Sequence, residues 1–156
     1  MTDDAAFEDG REVPLYLGAF DVEDLQVISS LAQDAVFPVT EMTWRAGDRR
    51  FALLLNRFRW EEERRDQHAP ERVQSLLVID NVLGVASQGI DRNDADTVLS
   101  LLSVEFEPTG DGAGLLTLIL AGDGAIRLEI EALEVTLKDV TRPYRAASGK
   151  VPRHDI

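Results

Sequence analysis

Seven arginines fall between residues 45 and 65, against four acidic groups, in a chain whose net charge is −13. Five of them, Arg45, Arg49, Arg50, Arg57 and Arg59, are interleaved with Trp44, Phe51, Phe58 and Trp60. A guanidinium offers a planar fork of donors that grips a carboxylate or phosphate through two hydrogen bonds. The chemistry such a cluster could do is therefore recognition: Arg45, Arg49, Arg50, Arg57, Arg59 and Trp60 are the candidate anion- or partner-binding residues. The competing reading is internal ion pairing on a surface strand. Glu61, Glu62 and Glu63 lie close by, and like charges facing across a strand pair are costly unless acids intervene. Sequence alone favours the ion pairs.

Other reactive patterns fail on spacing. The two histidines, His68 and His154, stand apart from any carboxylate cluster at metal-ligand spacing, and there is no cysteine; no metal site is expected. Asp91, Asn93, Asp94 and Asp96 imitate a calcium loop, but Ala95, Asp96 and Leu102 hold the places that need an oxygen ligand, a glycine and a glutamate. An Asp-rich turn is the simpler reading. Gly110-Asp111-Gly112-Ala113-Gly114 resembles a phosphate loop in composition only, since a strand follows it and no basic residue or helix N-terminus is adjacent. Ser87 in VASQG lacks the first glycine of a nucleophile elbow. Glu129 and Glu131 share one strand face, most simply the wet one. No catalytic residue and no cofactor are expected.

Composition narrows the class. The chain has 156 residues, 44% hydrophobic and 29% charged, enough for one domain that buries a sizeable core. No apolar run reaches the roughly 20 residues of a membrane span, and the acidic start lacks a basic, apolar leader. The expectation is a cytoplasmic protein. Its charge opposes nucleic acid and anionic membrane, so a protein partner or a homo-oligomer is expected.

The elements that must position these residues are mostly strands. Residues 115–131, LLTLILAGDGAIRLEIE, alternate strictly on both sides of a Gly-containing turn, the pattern of a β-hairpin. A three-residue loop with Gly124 left-handed would set Leu120 opposite Ile126, Leu118 opposite Leu128 and Leu116 opposite Ile130. A second hairpin spans about 39–58. Gly47-Asp48, as a type II′ turn, would set Trp44 opposite Phe51, Met42 opposite Leu53 and Thr40 opposite Leu55. In that register Arg45 faces Arg50, away from Trp44 and Phe51, whereas Arg57 lies on the Phe51 face and rims the apolar layer.

Asp21 is a good N-cap, with Glu23 and Asp24 in the first turn and Val22, Leu25, Ile28, Leu31 and Ala32 at helical spacing. Residues 59–72 read as a charged loop. Residues 73–87 read as one or two strands broken near Asp80-Asn81, and 98–107 as another. Residues 133–140 fit either a strand or a helix face. The echo of Ala46-Gly47-Asp48 in Ala121-Gly122-Asp123 is better explained by common hairpin grammar than by duplication.

The stretches LGAFDVEDLQVISSLAQDAV (17–36), RRFALLLNRFRWE (49–61), GIDRNDADTVLSLLSVEFEP (89–108) and AGDGAIRLEIEALEVTLKDV (121–140) resemble an uncharacterised alphaproteobacterial family, the domain of unknown function 2948. The resemblance implies no activity, cofactor or catalytic residue. The reading is an α+β fold: mainly antiparallel sheet, hairpin-rich, about seven to eight strands, with one packed N-terminal helix. A flexible acidic N-terminus (1–14) precedes a single globular domain (15–141) and a flexible basic tail (142–156). Function is read as that of a non-enzymatic interaction or accessory domain. The alternative is a binder of, or enzyme for, a small anionic metabolite that uses Arg45, Arg49, Arg50 and Arg57.

Overall fold

Asp21 starts the helix as its chemistry requires. Its backbone is extended and its carboxylate accepts a 2.8 Å hydrogen bond from the Asp24 N–H, which opens α1 (Val22–Ala32). Leu25, Ile28 and Ala32 are buried on the inner face. On the same element the Ser29 hydroxyl accepts from the Val104 N–H at 2.9 Å and ties the helix to the sheet. The structure, a computed structural model, describes residues 13–61 and 71–145.

The remaining elements are strands: β1 (Tyr16–Ala19), β2 (Val36–Pro38), β3 (Met42–Arg45), β4 (Arg50–Phe58), β5 (Glu71–Ile79), β6 (Val82–Gln88), β7 (Val98–Gly110), β8 (Ala113–Leu120), β9 (Ala125–Ile130), β10 (Val135–Asp139) and β11 (Tyr144–Arg145). They are hydrogen-bonded in the order β1-β10-β5-β4-β2-β7-β8-β9-β6, with β3 beside β4 and β11 beside β5, and every pairing is antiparallel. The α+β class holds. The strand number among the described residues is eleven rather than seven or eight, because β2 and β11, at three and two residues, are too short to show a period. Residues 133–140 resolve as strand β10. β11 pairs with Glu71 and Arg72.

Two registers show what a pattern can and cannot specify. In the first hairpin Trp44 faces Phe51, Met42 faces Leu53 and Arg45 faces Arg50, as expected. The turn differs: Ala46–Asp48 wind into a 3₁₀ turn and Arg49 takes the left-handed conformation, φ 53°. Thr40 does not reach Leu55, because Val39–Glu41 form a second 3₁₀ turn. In the second hairpin Leu118 faces Ile126, Leu116 faces Leu128 and Gly114 faces Ile130, two residues from the expected register. Gly122 (φ 79°) and Asp123 (φ 67°), not Gly124, are left-handed. A slip of two leaves every side chain on its own face, so burial cannot tell the two registers apart.

The inward faces of the longer strands feed one core. Leu53, Leu55, Leu77, Val135 and Leu137 come from one half of the sheet. Leu116, Leu118, Ile126 and Leu128 come from the other, and Leu25 and Ile28 of α1 join them. Opposite Pro108, Gly114 leaves room that a Cβ would take from the Glu107 carbonyl and the Phe106 ring. The β7–β6 half curls back toward β3, where the Val82 N–H donates to the Arg49 carbonyl at 2.9 Å. No helix among the described residues is long and apolar enough to cross a membrane.

Candidate functional site

β4 carries two of the five candidate arginines, Arg50 and Arg57, and its length separates them. Arg50 and Arg57 stand at opposite ends, roughly 23 Å apart at the rise of a strand. At the turn end the side chains are exposed. Arg49 donates to Glu131 at 2.8 Å and Arg50 to Asp80 at 2.8 Å, while Arg45 lies 3.9 Å from Asp48. Pairs this open to solvent contribute little to stability.

The other end is buried. Arg57 has no exposed surface, and its guanidinium is fully engaged. Nε donates to Ser75 Oγ at 2.9 Å, and Nη2 donates to both Asp139 oxygens at 2.9 and 3.1 Å. Nη1 and Nη2 also grip Glu61 at 2.8 and 2.7 Å. Asp139 further accepts from the Ser75 hydroxyl at 2.7 Å and from the Leu15 N–H at 2.9 Å. One fork therefore joins β4, β5, β10 and the segment before β1. A charge so deep is held only because every donor has an acceptor. Burial works against the guanidinium's charge, yet Glu61 and Asp139 together raise its pKa.

Alongside it, Arg59 donates to Glu71 at 2.8 Å. The Trp60 indole donates to the Gln33 carbonyl at 2.9 Å and packs edge-on against Phe58, centroids 4.8 Å apart. Arg57, Arg59 and Trp60 thus stitch the end of β4 into the fold.

Glu61 gives a pH prediction. Burial pushes its carboxyl up, but the Arg57 hydrogen bonds and charge outweigh that and hold it below the usual carboxylate range. A folded-state pKa below the unfolded one contributes stability that is full above the unfolded value and is lost as pH falls through the folded one. Thermal midpoints measured from pH 6 down to pH 3 should therefore fall less steeply for Glu61→Gln than for the native chain. Parallel curves would remove Glu61 from the account.

Two further features are exposed. The first is a cleft between β3 and β6, each of which pairs on one edge only among the described residues. Met42, Trp44, Phe51, Val85 and Ile126 form its apolar walls, and its volume is about 210 Å³. Thr40, Ser87 and Arg92 bring the polar groups. A second cavity, about 310 Å³, lies where β2 leaves β4, between Val36, Leu54 and Val98, with Asn56, Gln74 and Glu41 beside it. Neither cavity gathers Arg45, Arg50, Arg57 or Trp60.

The second feature is the β1 edge. β1 ends the strand order and pairs only with β10 among the described residues. Val13, Tyr16, Phe20 and Val22, four large apolar side chains within ten residues, are exposed there, Phe20 at 70%. Val22 thus leaves the helical stripe it was expected to join. Lys138 lies over the Tyr16 ring, 5.6 Å from its centroid.

Sequence reasoning missed Arg92, Thr40, Tyr16 and Phe20. Arg92 sits in an Asp-rich turn with no period, and its place in the cleft depends on the curl of β6 toward β3. Tyr16 and Phe20 carried no readable signal in the sequence, because their exposure depends on β1 standing last in the strand order. His68, His154, Glu62 and Glu63 lie outside the described residues.

Comparison with known proteins yields one match. A family model described as "Protein of unknown function (DUF2948)" matches residues 15–154. No curated protein and no solved structure matches.

Proposed function

Because the chain belongs to the DUF2948 family, which brings no activity with it, we propose from its surface that it is a non-enzymatic interaction domain that docks a partner protein on the β1 edge. The observation that carries this is the exposed group Val13, Tyr16, Phe20 and Val22 on and beside β1, a strand that among the described residues is paired on one edge only. Natural edge strands are normally blunted by charge, proline or cover, because an open apolar edge invites another chain. Here Asp21, Glu23 and Asp24 flank the group. They favour a partner with basic groups beside its own apolar surface over a second copy of this acidic chain. A cytoplasmic setting belongs to the same reading and is supported by the absence of cysteine.

The anion-binding alternative on Arg45, Arg49, Arg50 and Arg57 comes second. It requires those guanidiniums to leave Asp48, Glu131, Asp80 and the Glu61–Asp139 pair.

The test is capture from native lysate with the full chain as bait. A stoichiometric partner should be retained, weakened by salt, and lost with Tyr16→Ser/Phe20→Ser. Val98→Ser, which removes an exposed apolar side chain elsewhere, should keep it. If no stoichiometric partner appears and the purified chain is strictly monomeric, the reading fails.

A further inference from the structure

We infer that the cleft between β3 and β6 is a binding site for a small carboxylic acid with a flat apolar body. This is independent of the β1 edge. The walls come from three directions: Met42 and Trp44 from β3, Phe51 from β4, and Val85 and Ile126 from β6 and β9. Their aliphatic and aromatic surfaces offer an entering group dispersion and water exclusion. The volume of about 210 Å³ somewhat exceeds the roughly 150 Å³ cavity that takes up benzene. It suits one ring and a short chain.

Charge decides the other half of the ligand. In a chain with 29 acidic residues, none lines this cleft, and its one charged group is Arg92. The nearest acids in sequence, Asp91 and Asp94, lie outside the lining, and each accepts one backbone hydrogen bond at 3.0 Å, from the Asn93 and Asp96 N–H groups. Among the described residues the Arg92 guanidinium makes no hydrogen bond or ion pair, unlike Arg49, Arg50, Arg57 and Arg59. The hydroxyls of Thr40 and Ser87 are likewise without a partner there. An unpaired fork and two unpaired hydroxyls beside an apolar cleft match a carboxylate on an apolar body. A ligand would place its ring against Trp44 and its carboxylate at Arg92.

The chain carries two tryptophans, so Trp60→Phe leaves Trp44 as a single reporter inside the cleft. Its fluorescence is titrated with 3-phenylpropionate and with the uncharged isostere 3-phenylpropanamide. The acid should bind saturably and about tenfold tighter than the amide, the discrimination of one charge-assisted pair. Arg92→Gln should bring the two within about twofold, whereas Arg127→Gln, on the outer face of β9, should leave the ratio unchanged. Calorimetric titration of the native chain repeats the comparison without relying on Trp60→Phe. No saturable binding by either compound would overturn the inference. So would equal affinities, an equal effect of Arg127→Gln, or a Trp44 response only to an extended peptide, which would mark strand addition instead. None of these outcomes bears on capture through Tyr16 and Phe20.

Discussion

Arg57→Met is expected to remove about 3–5 kcal/mol of stability, the cost of breaking a buried ion pair from one side. Methionine fills much of the arginine's volume, so the loss is electrostatic rather than a cavity. The substitution leaves Asp139, whose side chain is 4% exposed, with the Ser75 hydroxyl and the Leu15 N–H but no counter-charge. Glu61 is freed too, but it can turn to solvent, because its side chain keeps 29% of its surface. Asp139 cannot. Against a total stability of about 5–15 kcal/mol for an ordinary domain, the loss should move the urea midpoint sharply with little change in slope. Ser75→Ala should cost far less, since Arg57 and Asp139 remain bonded to each other. The decisive comparison is Arg57→Met with Asp139→Leu. Replacing both charges by apolar groups should recover much of what either removes alone, because the desolvation cost disappears with the charges. Additive losses would mean that the network holds the fold by shape, not by neutralising charge.

That network also shows where a linear reading stops. The position of Arg57 on the Phe51 face follows from alternation along β4, and the observed pairings of Trp44 and Phe51 confirm the face. Alternation cannot name the partners. Ser75 and Asp139 lie 18 and 82 residues away and meet Arg57 only because β5 pairs with both β4 and β10. The helix was legible because its cap, its first-turn acids and its stripe agree within a dozen residues. Strands β2 and β11 were not, because they exist only as pairings. The cleft at Trp44 is non-local in the same way. Thr40, Arg92 and Ile126 are neighbours through the curl of the β7–β6 half, and no spacing encodes that. The β1 edge differs in kind: Tyr16 and Phe20 were in plain view, and what was missing was which strand would stand last in the sheet.

The central hairpin yields the second large effect. Leu128 is fully buried, with Leu116 on one side and Val85 on the other. Truncating it to alanine removes three methyl-sized groups from a place that two neighbouring strands prevent from collapsing. The expected loss is about 2–5 kcal/mol, the usual cost of a buried leucine. Ile126→Val and Ile130→Val should each cost about 0.5–1.5 kcal/mol. Their sequence neighbours Arg127 and Glu129 point outward and are exposed, so alanine there should stay within about 0.5 kcal/mol. A cost that alternates along 126–130 is the energetic image of the face, and either register predicts it. The partners separate the two registers. In the observed pairing Leu128 opposes Leu116, not Leu118, so a double-mutant cycle between Leu128→Ala and Leu116→Ala should show stronger coupling than one with Leu118→Ala. Coupling stronger with Leu118 would restore the three-residue loop with left-handed Gly124. It would also shift where β9 meets β6, and with that the position of Ile126 beneath the Trp44 cleft.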